Sequence, residues 1–196
     1  LVTLASVTSW FFLGTILVVS GEMRTLNQIK ASEWARLLAL GLINPTLYYF
    51  LLFGAYAKLP AQEAMAINYT WGLVLPLLAA PLLGQALKGR DIVYALVSYC
   101  GVFVIATRGE VLTFELSDPT GVGLAIGSTL LWALYWIGNT RISTPPVQGL
   151  FVGFTSATAI LLTLSLFTGS LLNLPWQAVA GGLYIGFFEM GLSFIL

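Results

Sequence analysis

One charge-free stretch of this 196-residue chain limits its fold more than any other feature. Residues 60–87 begin at a polar end that contains Glu63 and then carry no charged side chain as far as Lys88. Two prolines, Pro76 and Pro81, lie inside this stretch. In water it would be a buried helix with two costly interruptions, because proline removes a backbone donor and clashes with the preceding turn. In a bilayer it is one spanning helix, kinked where neighbouring helices or water satisfy the freed carbonyl groups.

The composition supports the bilayer interpretation. Hydrophobic residues make up 58% of the chain and charged residues 8%, whereas a soluble domain carries about 25% charged residues. The mean hydropathy is +0.92, so there is too little polar surface to coat a water-soluble globule. The net charge is zero, which gives no indication of a nucleic-acid partner. The composition therefore predicts an integral membrane protein that is embedded in the lipid bilayer.

Catalysis, cofactors and metals are not expected. The sequence has no histidine, which removes the commonest general base and metal ligand, and its single cysteine excludes an intrachain disulfide. An intramembrane protease is not expected either. A rhomboid-type serine protease needs a histidine, and a di-aspartyl protease needs two acids within the membrane, where this chain has only Glu189. No phosphate-cradling glycine loop of the Walker type is present, so ATP is not expected to supply the energy.

Seven segments approach the roughly 20 apolar residues that a membrane-spanning helix needs. The predicted fold class is thus an all-α integral membrane protein with about seven transmembrane helices. The segments are residues 1–20, 35–57, 61–87, 90–107, 120–140, 147–170 and 176–196.

The basic residues orient these segments, because cytoplasmic loops carry most Lys and Arg. If the loops alternate across the membrane, six basic residues fall on one side and two on the other. The larger group is Arg24, Lys30, Arg36, Lys88, Arg90 and Arg141, and the smaller is Lys58 and Arg108. The first side is then cytoplasmic, and the longest external loop, 108–119, is acidic through Glu110, Glu115 and Asp118. Both ends of the chain are apolar, which is typical of a fragment of a longer protein.

Glycines four residues apart on three of the predicted helices indicate close helix packing. Small residues at this spacing let two backbones approach each other, although glycine is also simply frequent in membrane helices. The three pairs are Gly123 and Gly127, Gly149 and Gly153, and Gly182 and Gly186.

Two regions resemble a known family. Residues 64–110 combine small residues, an apolar helix with an internal proline at Pro76, a basic turn at 88–90 and a Gly-Val pair at 101–102. This order is similar to the end of an EamA repeat of the drug/metabolite transporter superfamily. Residues 118–143, with Trp132 followed by alanine, resemble the opening helix of a second such repeat.

The resemblance implies a bundle of ten helices built as two five-helix repeats of inverted topology. Residues 1–108 would form the first repeat without its first helix, and residues 119–196 the second without its last two. The implied function is secondary transport of small metabolites or drug-like solutes by alternating access, with export as the expected direction. A channel and a non-transporting packing subunit remain the alternatives, and homo-oligomerisation stays open.

Inverted repeats place the substrate near the midplane at interrupted helices. Glu189 is the one ionisable side chain well inside a predicted span, which suggests proton coupling or binding of a substrate amine; the rival role is structural. Asn44 lies beside a predicted kink at Pro45, either as a substrate ligand or as an interhelical hydrogen-bonding group. Residues 44–51 can be laid over residues 189–196, which sets Asn44 against Glu189.

The other candidate substrate-binding residues are an amide and several aromatic side chains that would line a cavity. They are Asn68, Trp71, Tyr48, Trp132 and Tyr135. An aromatic stripe can stack on a flat or amphipathic solute, but an aromatic belt at the membrane interface explains Trp136 and Asn139 equally well. The kink at Pro76, with Pro81 one turn further along, would let one cavity wall flex.

Overall fold

The computed structural model describes residues 1–107, 109, 118–171 and 174–195, and the described residues form helices joined by turns. The described residues form nine α-helices, in chain order α1 (Val2–Val19), α2 (Ala31–Gly41), α3 (Tyr48–Tyr56), α4 (Ala61–Asn68), α5 (Trp71–Leu83), α6 (Gly89–Ala106), α7 (Pro119–Asn139), α8 (Pro146–Thr168) and α9 (Trp176–Tyr184). Two π-helical segments, Leu42–Leu47 and Ile185–Glu189, and two 3₁₀ helices, Glu22–Gln28 and Leu192–Phe194, lie among them.

Within the described ranges, five helical segments are long and apolar enough to cross a membrane. They are Val2–Val19, Ala31–Tyr56, Ala61–Leu83, Pro119–Asn139 and Pro146–Thr168. The predicted fourth span, 90–107, corresponds to α6, with 18 residues, and the predicted last span is divided into α9, a π-helical segment and a 3₁₀ helix. The prediction of an all-α, multi-pass membrane protein is therefore confirmed. Of the predicted acidic external loop, Arg108, Glu110 and Glu115 lie outside the described residues.

The contacts divide the chain into two compact units. The first unit contains Leu1–Thr46 and Ile142–Leu196, in which both α1 and α2 pack along α8. Hydroxyl groups join α1 to α8, with Thr3 Oγ1 2.7 Å from Ser165 Oγ. Such interhelical hydrogen bonds are useful in a bilayer, where lipid tails are as apolar as leucine and no hydrophobic effect drives helices together.

The second unit, Leu47–Arg141, is built around α7. Helices α3, α4 and α5 all pack on α7, and α6 packs on α4. Helix α7 begins at Pro119, and Asp118 caps it because its carboxylate accepts a hydrogen bond of 2.9 Å from the backbone N–H of Gly121. Lys58 Nζ lies 3.5 Å from the same carboxylate.

The cap makes a pH-dependent contribution to stability. The hydrogen bond from Gly121, together with the charge of Lys58, lowers the pKa of Asp118. A lowered pKa means that the carboxylate stabilises the folded chain at neutral pH and that this stabilisation is lost as the pH falls below about 3.9. We therefore expect Asp118→Ala to lower the melting temperature at pH 7, and this difference from the wild type to shrink as the pH is lowered to 3. Asp118→Asn, which caps without titrating, is the control, and an undiminished gap for Asp118→Ala at pH 3 would contradict the assignment.

Five of the six predicted packing glycines lie at close helix contacts. A Cβ at Gly127 would be 3.1 Å from Leu51 on α3, and one at Gly149 would be 3.2 Å from Leu37 on α2. A Cβ at Gly182 would be 2.7 Å from the Cβ of Leu4 on α1. The other two packed glycines are Gly153, which faces Gly41 on α2, and Gly186, which faces Ala5 on α1.

Gly123 does not share this role, and its prediction as a packing residue is wrong. It is exposed, and a Cβ there would meet no described atom within 4 Å. Gly123 shares a face of α7 with Gly127, but at the level of Gly123 no described residue approaches that face, whereas Leu51 does so at Gly127.

The span predicted at 61–87 is interrupted earlier than its prolines suggest. Pro76 and Pro81 both lie within α5, which continues to Leu83 and ends where Gly84 adopts a left-handed conformation at φ 70°. The interruption is instead between α4 and α5, at residues 69–70. The flexible kink expected at Pro76 remains a prediction.

Candidate functional site

A cavity of about 480 Å³ lies in the second unit between α5 and α7. One wall is a single face of α5, formed by Trp71, Leu75, Ala79 and Leu83, each four residues after the last. Residues at this spacing lie one above another on a helix, so together they form a continuous apolar strip. Pro76 also contributes to this wall. The volume is in the range of small-molecule sites in proteins.

The opposite wall comes from the last turns of α7, where Trp136, Ile137 and Thr140 face the cavity. Gln85, in the segment after α5, lines the same end of the cavity as Leu83 and Thr140. The cavity therefore has an apolar body flanked by two indole rings and a polar end formed by a hydroxyl and an amide. Such a lining suits a solute with an apolar ring and a polar end.

Aromatic rings continue from the cavity wall into the interior of the second unit. The ring centroid of Trp132 lies 4.6 Å from that of Tyr48 and 6.2 Å from those of Trp71, Tyr135 and Trp136. These distances are typical of favourable aromatic contacts. Trp132 thus lies at the centre of the cluster and contacts both cavity tryptophans, Trp71 and Trp136. The structure brings together four of the predicted aromatic residues, but among them it places only Trp71 on the cavity wall.

Asn68 belongs to a buried hydrogen-bond network. Its Oδ1 accepts from Tyr48 Oη at 3.3 Å, and its Nδ2 donates to Ser128 Oγ at 2.9 Å. Ser128 Oγ in turn donates a hydrogen bond to the carbonyl oxygen of Ala125 at 2.7 Å. The amide of Asn68 therefore connects α3, α4 and α7. These bonds favour the structural role of Asn68 over solute binding.

The same region holds the interruption between α4 and α5. The hydroxyl of Thr129 on α7 donates to the carbonyl oxygen of Ala125 at 2.9 Å and lies 3.3 and 3.4 Å from the carbonyl oxygens of Ile67 and Asn68. Thr70, in the break itself, donates its hydroxyl to the carbonyl oxygen of Ile67 at 2.7 Å. This bond satisfies an acceptor at the end of α4 and gives a physical reason for the break at residues 69–70.

Asn44 lies in the first unit, in the π-helical segment Leu42–Leu47. Its backbone is non-helical, with φ −137° and ψ 124°, and Pro45 follows it. The side chain is 2% exposed, and its Oδ1 and Nδ2 have no hydrogen-bond partner among the described residues. Thr46 Oγ1 donates to the carbonyl oxygen of Gly41 at 3.1 Å, which satisfies an acceptor beside the break. A buried amide in such an environment offers both a donor and an acceptor to a ligand.

Glu189 ends the second π-helical segment, Ile185–Glu189, also in the first unit. Its side chain is exposed, so the expectation of an enclosed carboxylate does not hold for the described chain. The regular helix α9 ends at Tyr184, and Glu189 follows it in the π-helical segment. Asn44 and Glu189, matched by the sequence overlay, thus both occur in segments where the α-helical hydrogen-bond pattern is replaced by a π-helical one.

Most cavity-lining residues were missed by sequence reasoning. Leu75, Ala79 and Leu83 are common membrane-helix residues, and only their four-residue spacing from Trp71 singles them out. Trp136 and Thr140 show the same spacing on α7, but Trp136 was equally consistent with an interfacial belt. Gln85, in the turn after the span, carried no signal of its own.

Comparison with known proteins agrees with this architecture. Residues 1–107 match the EamA-like transporter family. An aromatic amino acid exporter, YddG of Ancylobacter novellus, is 28% identical over 152 residues, which cover 75% of this chain and 52% of that protein. An uncharacterised transporter, YvbV of Bacillus subtilis, is 24% identical over 189 residues, covering 94% of this chain and 61% of that protein.

The chain thus spans between about half and two thirds of the length of these curated relatives. No solved structure matches it. The family model covers more than half of the chain, and five described helical segments are long and apolar enough to cross a membrane. The chain belongs to the EamA-like transporter family.

Proposed function

We propose that the protein is a carrier that exports small solutes with an aromatic ring and that the cavity between α5 and α7 holds the ring. The observation that carries the proposal is the cavity lining, in which Trp71 and Trp136 flank an aliphatic body that ends at Gln85 and Thr140. Indole rings bind a flat apolar group through its faces and edges. The sequence similarity to an aromatic amino acid exporter supports the same substrate class.

Alternating access is part of the proposal. It is supported by interruptions in three apolar segments: Leu42–Leu47, residues 69–70 and Ile185–Glu189. Interrupted helices are common at the substrate and coupling sites of secondary transporters. We further propose that Asn44 binds a polar group of the transported solute and that Glu189 couples transport to protons.

Removing the cavity tryptophans should weaken solute binding. Aromatic pairs contribute about 0.5–1.5 kcal/mol beyond area burial, which corresponds to a roughly 2- to 13-fold change in affinity. We expect Trp71→Leu and Trp136→Leu each to weaken binding of 2-phenylethanol, a neutral aromatic probe, within this range. Titration calorimetry on the purified protein in nanodiscs measures the effect.

Trp176→Leu is the matched control, because Trp176 is an exposed tryptophan at the start of α9 and does not line the cavity. Its affinity for the probe should equal that of the wild type. If the two cavity variants also bind 2-phenylethanol as the wild type does, the cavity is not the ring-binding site.

A further inference from the structure

The polar end of the cavity has a cationic group beside it. Arg141 directly follows the lining residue Thr140, and its Nη2 donates to the carbonyl oxygen of Leu82 at 2.7 Å. Leu82 in turn directly precedes the lining residue Leu83. The exposed guanidinium therefore bridges the ends of α5 and α7 beside the polar end of the cavity, although Arg141 does not itself line the cavity.

This guanidinium retains capacity for an anion. Arginine has five N–H donors, and Leu82 is the one hydrogen-bond partner of the Arg141 side chain in the described part of the chain. The ion pairs of the described residues are Lys58 with Asp118 and Arg90 with Asp91, and neither includes Arg141. A guanidinium without a described counter-ion, beside an apolar cavity, favours a planar anion such as a carboxylate.

We propose that the solute held in the cavity carries a carboxylate and that Arg141 is the residue that selects it. The ring lies between Trp71 and Trp136, and the carboxylate lies at the polar end, where Arg141 donates to it. The amide of Gln85, which has no hydrogen bond to a described residue, is positioned to donate as well. This inference rests on the proposed function, since it assigns the second half of the same solute.

Arg141 has a second role, because a cation that binds Leu82 O stabilises the C-terminal end of α5. The two roles differ in one measurable respect. Loss of the helix cap would disturb the cavity for every solute, whereas loss of a carboxylate-binding group would affect only solutes that carry the anion.

The test compares two probes, 3-phenylpropionate and the neutral 2-phenylethanol, binding to the full-length protein in phosphatidylcholine nanodiscs. We expect Arg141→Gln to weaken 3-phenylpropionate binding by about tenfold or more beyond whatever effect the lost α5 contact has on 2-phenylethanol binding. Arg141→Lys, which keeps the charge but loses the planar fork, should have an intermediate affinity for 3-phenylpropionate. Equal weakening of both probes, or no weakening of either, would overturn the inference.

Two further comparisons separate the remaining explanations. Adding anionic phosphatidylglycerol to the nanodiscs should leave 3-phenylpropionate binding to the wild type unchanged; competition by this lipid would assign Arg141 to a lipid headgroup and overturn the inference. If Trp71→Leu weakens 2-phenylethanol binding while Arg141→Gln affects neither probe, the ring-binding proposal stands and the carboxylate assignment fails. If the wild type binds neither probe, the proposed function itself fails.

Discussion

Gly41→Val is expected to disrupt the packing of α2 against α8 and to destabilise the protein. A Cβ at Gly41 would overlap the carbonyl oxygen of Gly153 and lie 2.6 Å from its carbonyl carbon. Both atoms belong to the backbone of α8, so relief requires the helices to separate. Overpacking typically costs about 1–3 kcal/mol, and we expect this variant at the upper end because no flexible side chain can yield. A large fall in melting temperature and in the yield of monodisperse protein measures the effect.

Gly123→Val is the matched control for this variant. It makes the same substitution within a helix, but a Cβ at Gly123 meets no described atom within 4 Å. Any difference between the two variants therefore reports on the helix contact and not on the helix propensity of valine. Equal melting temperatures for the two variants would contradict the close approach of α2 and α8.

Glu189→Gln is expected to abolish transport while leaving membrane insertion intact. The carboxylate lies in the apolar segment 176–196, where an ionised side chain costs about 2.5–3.5 kcal/mol on insertion scales. It also ends a π-helical segment, and irregular helices often accompany coupling sites. If Glu189 carries a transported proton, the isosteric amide removes that proton and any response of uptake to a pH gradient.

Proteoliposome uptake with and without a pH gradient measures this effect. Glu22→Gln, which changes an acid in the 3₁₀ helix Glu22–Gln28, is the control and should transport as the wild type does. Wild-type uptake by the Glu189→Gln variant, with an unchanged response to the gradient, would remove Glu189 from the coupling mechanism.

The sequence predicted the helices better than it predicted their interruptions. Apolar length alone located the spans, because the bilayer requires all backbone groups to be satisfied within a helix. The irregular backbone at Asn44 was also indicated, since proline removes the next backbone donor. Pro76 gave the same local signal, yet α5 continues through it, and the described break is at residues 69–70. At that break the Thr70 hydroxyl binds the carbonyl oxygen of Ile67, a contact that residue type alone does not predict.

The residues of the candidate site were also only partly predictable from the sequence. Trp71 was expected to line a cavity, and it does; Asn68 was given the same role, but Tyr48 and Ser128 hold its amide. The role of each residue depends on which side chains lie beside it in the fold, and the type of the residue does not determine those neighbours. The strip from Trp71 to Leu83 was visible as a spacing, but its partner wall on α7 depends on how the two helices pack.

Counterflow in proteoliposomes tests the central claim most directly. Vesicles that contain the full-length protein are loaded with unlabelled L-phenylalanine, and the entry of external labelled L-phenylalanine is followed. A carrier of aromatic solutes gives transient, saturable accumulation that Trp71→Leu reduces, whereas a channel or a packing subunit gives none. We predict saturable counterflow; its absence, or its persistence unchanged in the Trp71→Leu and Trp136→Leu variants, would contradict the account.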